Sequence, residues 1–342
     1  MTIEQIKDKL KSKEYDFLRT DKNLGDNIII LTLGGSHAYG TNNEGSDLDI
    51  RGCALNSKMQ ILTNENFEQF VNNETDTTIY AFNKLVALLS NTNPNTIEML
   101  GNKPEHYFYV SPIGQELIDN AHLFLSKRAC HSFGGYANQQ LYRLNQKAAH
   151  QMSQSELEKH ILKTLEFMQT DFTKKYTPYS DDLMKLYIDK AVQEGYDTEI
   201  FMDVNLTHYP LRDYCSMWNE LQNTVRQYGK IGKRNEKAIE HGKIAKHSMH
   251  LIRLYMMCLD ILEKERIITY REDEHDLLMD IRNGKYLDSN DQPIPEFFEM
   301  VNDYEKRLDY AKKNTNLPDN PNYKAINEFV ASVNERVVKG EI

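Results

Sequence analysis

The residues of this chain whose types and spacing could do chemistry are Gly35-Ser36 and, eleven residues further on, Asp47-Leu48-Asp49. A Gly-Ser turn can hold phosphate oxygens. Carboxylates at i and i+2 of a strand lie on one face, roughly 6.6 Å apart along it, where they can share Mg2+. Asp76, at the start of the next expected strand, is the best candidate for a third carboxylate, with Glu74 the residue that a register error would put in its place. Two divalent ions a few ångströms apart would neutralise a triphosphate and lower the pKa of an attacking hydroxyl. That combination is the chemistry of nucleotidyl transfer, with Mn2+ as a substitute for Mg2+.

Rival phosphate and nucleophile motifs do not fit the same stretch. Gly35 and Gly40 have Walker-loop spacing, but the lysine before Thr41 is missing and no helical pattern follows at once. No Gly-x-Gly-x-x-Gly fingerprint is present, and Ser36-His37 does not sit in a Gly-x-Ser-x-Gly elbow. Asp-x-Asp alone would be a solvated edge or a turn. Here it follows an apolar strand, a Gly-Ser turn and a polar loop.

The elements that must position these groups can be traced along the chain. Ile3, Ile6, Leu10, Tyr15 and Leu18 have near-helical spacing, and Asn27 to Leu33 is a short apolar run that predicts a buried strand. A second strand is expected over Asp47 to Leu55, a helix around Glu65 to Val71, and a third strand over Asp76 to Phe82. A boundary near residue 115 separates an expected first domain, 1–115, from a second, 116–342. The second has helical periodicity over 114–125, 130–149, 155–169, 180–193, 211–228, 236–265, 272–283, 294–313 and 323–338. The expected architecture is α/β (α+β), a short mixed sheet with flanking helices joined to a mostly helical domain that closes one wall of the cleft.

Within that helical part Lys243, Lys246, His250 and Arg253 fall within about an 80° arc at 100° per residue, a basic stripe beside Ile244, Leu251, Ile252 and Leu254. Such a stripe can hold phosphates or can be a solvated face. His37 and Tyr39 could line a nucleotide pocket or pack the loop, and Arg51 could pair with a carboxylate or reach phosphate. Glu98 is expected to cap or bridge within the first domain, Lys230, Lys233 and Arg234 to be solvated, and Trp218 to be core.

Composition narrows the partners. The 342 residues carry 41 Lys plus Arg against 51 Asp plus Glu, a net charge of -10, so a polyanion would have to meet a local basic patch. Cys53, Cys130, Cys215 and Cys258 form no CxxC pair and suit free thiols of a cytoplasmic protein. The first residues are charged and amphipathic with no apolar signal core, and no run approaches the roughly 18 apolar residues of a membrane span.

The multi-part pattern resembles the DNA polymerase β-like nucleotidyltransferase superfamily. More narrowly, Gly35-Ser36-His37-Ala38-Tyr39-Gly40-Thr41 with Ser46-Asp47-Leu48-Asp49-Ile50-Arg51-Gly52 looks like the RNA-repair-associated polymerase β family of predicted nucleotidyltransferases, RlaP-like and YcgL-like. Asn93 to Leu100, Lys246 to Leu254 and Leu317-Pro318 agree with it, while 150–235 carries no match. The resemblance implies that Gly35 and Ser36 contact the β- and γ-phosphates of an NTP, that Asp47 and Asp49 bind metal, and that Asp76 holds the general-base or metal position. It favours nucleotide contacts for Lys246, His250 and Arg253. The expected acceptor is an RNA 3′ end, with a protein or small-molecule hydroxyl as the alternative, and a catalytically silent nucleotide-binding or partner-binding protein as the reading from another class.

Overall fold

The computed structural model describes residues 1–137, 183–190, 198–228, 243–289 and 293–342, with isolated positions between 159 and 192. The basic run Lys230, Lys233 and Arg234 and most of the helix expected over 155–169 lie outside the described residues. The chain divides into two compact units, one formed by 1–142, 244–289 and 293–342, the other by 143–243 and 290–292.

The first unit is built on a mixed five-stranded sheet. Its strands are β1 (Ile28–Leu33), β2 (Ile50–Ala54), β3 (Gln69–Asn72), β4 (Thr77–Ala81) and β5 (Tyr107–Val110), in the order β3-β4-β2-β1-β5. β1 is buried along its whole length, as a run without polar alternation requires of a central strand. It pairs antiparallel with β2 and β5, whereas β2 and β4 run parallel with Ile50 opposite Thr77. No helix forms over 65–71, where one was expected; the end of that stretch is the strand β3. Phe70 is half-buried between exposed Gln69 and Val71, a period of two that suits an edge strand.

The core continues from the sheet into helices far along the chain. Ile30, Ile50, Ile79 and Leu85 share one apolar cluster with Leu254, Met257, Cys258, Leu259 and Leu262 of the helix Lys243–Lys264, and with Ile326 and Val333 of the helix Tyr323–Lys339. The expected boundary at 115 therefore falls inside the first unit. Apolar residues on those later helices complete a core that five short strands cannot close alone. Among the described residues no helix is long and apolar enough to cross a membrane, and the four cysteines are free thiols.

The described part of the second unit holds two antiparallel strands, β6 (Met184–Lys190) and β7 (Thr198–Val204), and the helix Leu211–Tyr228. A helix over 180–193 is thus overturned. Met184 and Leu186 are buried on either side of exposed Lys185, and they join Met217 and Leu221 in a small core. Trp218, one residue past Met217, is rotated about 100° from it around the helix and is exposed, stacked on Tyr214 rather than in the core.

Candidate active site at the Gly-Ser turn

Strand pairing brings the key carboxylates together. The Ile50–Thr77 register makes Asp49 and Asp76, each one residue earlier, neighbours at the same end of two parallel strands, and the Ile50 N–H donates to the Asp76 carbonyl at 3.2 Å. β1 ends beside them, with the Gly34 N–H donating to the Asp49 carbonyl at 2.9 Å. The chain then turns at Gly35, whose φ is +54°, into the short helix Gly35–Tyr39. A Cβ on Gly35 would lie 2.0 Å from Asp49 Oδ2, so glycine meets two needs there, the left-handed backbone and the close approach of the carboxylate. Gly40 closes the helix at φ +74°, where a Cβ would lie 2.6 Å from the Tyr270 ring.

Asp47 and Asp49 precede β2 outside any strand or helix, so the strand expected from residue 47 begins at Ile50. Asp49 is largely buried, and Arg51 Nη2 lies 2.8 Å from its Oδ1 and 3.4 Å from Asp76 Oδ1. Arg51 Nη1 donates to the Asp76 carbonyl at 2.6 Å, while Asp76 itself has φ +45°, a strained value for a non-glycine residue. Burial pushes the Asp49 carboxyl up to about 6. Arg51 opposes that shift and neighbouring Asp76 adds to it. Asp47 is exposed and has no ion-pair partner among the described residues.

A second, buried network lies on the other side of the turn. The Tyr39 hydroxyl donates to Glu98 Oε2 at 2.5 Å, and the Arg253 guanidinium lies 3.5 Å over the Tyr39 ring. Arg253 Nη2 lies 2.7 Å from His250 Nδ1, and its Nε is buried without a hydrogen-bond partner among the described residues. Burial raises the pKa of Glu98, opposed first by Arg253, with the Gly35 N–H among the groups that favour the carboxylate. Burial and Glu98 also raise Tyr39. His37 is buried and its pKa lowered by that burial, which leaves its imidazole neutral near pH 7.

The segment after the helix Lys243–Lys264 braces the turn from behind. The Thr269 hydroxyl donates to the Glu98 carbonyl at 2.7 Å, and the Arg271 N–H donates to the Tyr39 carbonyl at 3.1 Å. Arg271 is fully buried and is held by Asp260 at 2.5 Å. Such a pair costs desolvation and is retained where it fixes geometry.

Asp49, Asp76, Arg51, Gly35, Ser36, His37, Tyr39, His250 and Arg253 thus lie in one neighbourhood. Lys246 is exposed, and the side chain of Lys243 lies outside the described residues. Sequence reasoning assigned Glu98 no role at the turn and passed over Arg271 and Arg282. The only available signal was the Glu98 segment, Asn93 to Leu100, since the two arginines are more than 200 residues away in sequence.

Among the described residues no three His, Cys, Asp or Glu side chains are already gathered as a metal site. The donors at hand are nevertheless hard carboxylate oxygens. Asp76 disfavours ionisation of the Asp49 carboxyl, which a divalent cation would relieve, and Asp47 stands two residues away without an ion-pair partner among the described residues. This chemistry fits Mg2+ or Mn2+.

A family model described as RlaP, the RNA repair pathway DNA polymerase beta family, matches residues 4–179. Neither a curated protein nor a solved structure matches the chain.

Proposed function

The chain belongs to the RNA repair pathway DNA polymerase beta family, and on that premise we propose that it transfers a nucleoside monophosphate from an NTP to a hydroxyl acceptor, releasing pyrophosphate. The observation that carries the reading is the approach of Gly35 to Asp49 with Asp76 beside it, which sets the Gly-Ser turn against paired carboxylates. Asp47, Asp49 and Asp76 would hold Mg2+, two ions being expected. The metal supplies neutralisation of the triphosphate and a lowered pKa for the acceptor hydroxyl. Ser36 and the turn hold phosphate oxygens, and Gly35 gives the clearance that lets Asp49 stand against them. Arg253, buried with an Nε that has no partner among the described residues, meets phosphate from the helical side. Asp76 orients the acceptor hydroxyl or takes its proton.

The acceptor proposed is an RNA 3′ end, in keeping with the family's description. The net charge of -10 favours a second acceptor, a protein or small-molecule hydroxyl. Incubation with each α-labelled NTP and Mg2+, with RNA, with lysate, or with the protein alone, separates them. Label in RNA supports the first and label in protein the second, while Asp47→Ala/Asp49→Ala removes both. Retained NTP binding with no label anywhere contradicts transfer and leaves a nucleotide-binding protein.

A further inference from the structure

Asp47 is delivered by a loop with no regular backbone structure, residues 41–46, and that loop is tied at both ends by one distant side chain. Arg282 is the last residue of the helix His275–Arg282. Its Nη1 donates to the Thr41 carbonyl at 2.6 Å and its Nη2 to the Ser46 hydroxyl at 3.0 Å. Thr41 opens the loop, with its own N–H on the Ser36 carbonyl at 2.9 Å, and Ser46 immediately precedes Asp47. The Ser46 hydroxyl is used to capacity. It donates to Asn43 Oδ1 at 2.8 Å and accepts from the Asn43 N–H at 2.9 Å and from Arg282.

Two parallel donors on acceptors five residues apart are what a planar guanidinium fork provides and an ammonium cannot. Arg282 is half-buried, yet no carboxylate lies within ion-pair distance among the described residues. Its charge is spent on a carbonyl and a hydroxyl. A cation desolvated without a counter-ion is costly to keep unless its geometry is used.

We propose that Arg282 is a positioning residue that closes the Thr41–Ser46 loop and thereby fixes Asp47 for metal binding. The inference rests on the reading of Asp47 as a metal ligand given above. It joins the last turn of a late helix to the first carboxylate of the site, so displacement of that helix would loosen metal binding without touching Asp49 or Asp76.

Hydrogen exchange of the full-length protein, read on peptides covering 41–49 and 28–34, and Mn2+ binding with ATP, read by electron paramagnetic resonance, test the proposal together. Two charge-assisted hydrogen bonds are lost in Arg282→Ala. Exchange over 41–49 should rise about tenfold while 28–34 is unchanged, and the Mn2+ dissociation constant should rise about tenfold. Arg282→Lys, able to hold one acceptor, should fall between. Ser46→Ala, which leaves the helix intact, should loosen the same peptide if Arg282→Ala does not fold. Unchanged exchange over 41–49 overturns the clamp, and faster exchange with unchanged Mn2+ affinity overturns the positioning of Asp47. Failure of the wild type to bind Mn2+ with ATP overturns the functional reading and this inference with it, an outcome distinct from the other two.

Discussion

The two sides of the Gly-Ser turn handle charge in opposite ways. On the strand side Asp49 and Asp76 are already compensated by Arg51, which reaches both carboxylates and the Asp76 carbonyl. On the helical side Arg253 and Arg282 have no carboxylate in ion-pair contact among the described residues and rest on an aromatic ring, an imidazole, a carbonyl and a hydroxyl. The difference teaches which side is prepared for what. On the proposed function the anionic side would exchange an internal cation for a metal, whereas the cationic side would receive an anion with no carboxylate to displace.

The comparison breaks most visibly at the carboxylates. Asp49→Ala or Asp76→Ala should lower transfer by on the order of 10³-fold, the size of losing a main electrostatic contributor, measured as initial rate with labelled NTP. Nucleotide affinity should change far less. If affinity collapses along with rate, the strand side binds the anion and the division of labour is wrong.

Arg253→Met probes the opposite side. Loss of a buried, charge-assisted phosphate contact should raise the dissociation constant for NTP roughly 10- to 100-fold, measured by calorimetry. Metal binding by the carboxylates should be retained.

Glu98→Ala sharpens the role of the buried acceptor between the two sides. It leaves the Tyr39 hydroxyl with the weak Met257 sulfur in place of a carboxylate acceptor and should cost about 1–3 kcal/mol, read as a lower thermal midpoint, with Glu98→Gln costing less because it retains an oxygen acceptor. Gly40→Ala should cost about 1–2 kcal/mol for the left-handed backbone, with the Tyr270 contact adding to it.

A further effect concerns pH. Asp49 has its folded-state pKa raised to about 6 from 3.8, so its neutral form is the one favoured by folding. Its contribution to metal-free stability is present below about pH 4 and is lost as the pH rises through 6. Asp49→Asn should flatten that window in thermal melts across pH 4 to 7. Saturating Mg2+ should lower the apparent pKa, since a cation favours the carboxylate.

Much of the strand side was legible because its parts are contiguous. An apolar run over 28–33 broken only by Thr32, a Gly-Ser turn and Asp-x-Asp lie within about twenty residues, and short-range spacing constrains such a unit. The helical side was legible only in part. The stripe of Arg253 and His250 follows from helical geometry, but the stacking of Arg253 on Tyr39 depends on packing between residues 214 positions apart. Arg282 left no local trace because its partners are 236 and 241 residues away. β3 and β6 were misread because four to seven residues of mixed polarity support either period, and cross-strand pairing decided between them.

The most direct measurement of the central claim compares ATP labelled at the α-phosphate with ATP labelled at the γ-phosphate, each incubated with the full-length protein, Mg2+ and RNA bearing a free 3′ hydroxyl. The account predicts that α-label enters the RNA, that γ-label leaves as pyrophosphate, and that Asp49→Asn abolishes both. Entry of γ-label into the acceptor, or α-label incorporation that persists in Asp49→Asn, would contradict it.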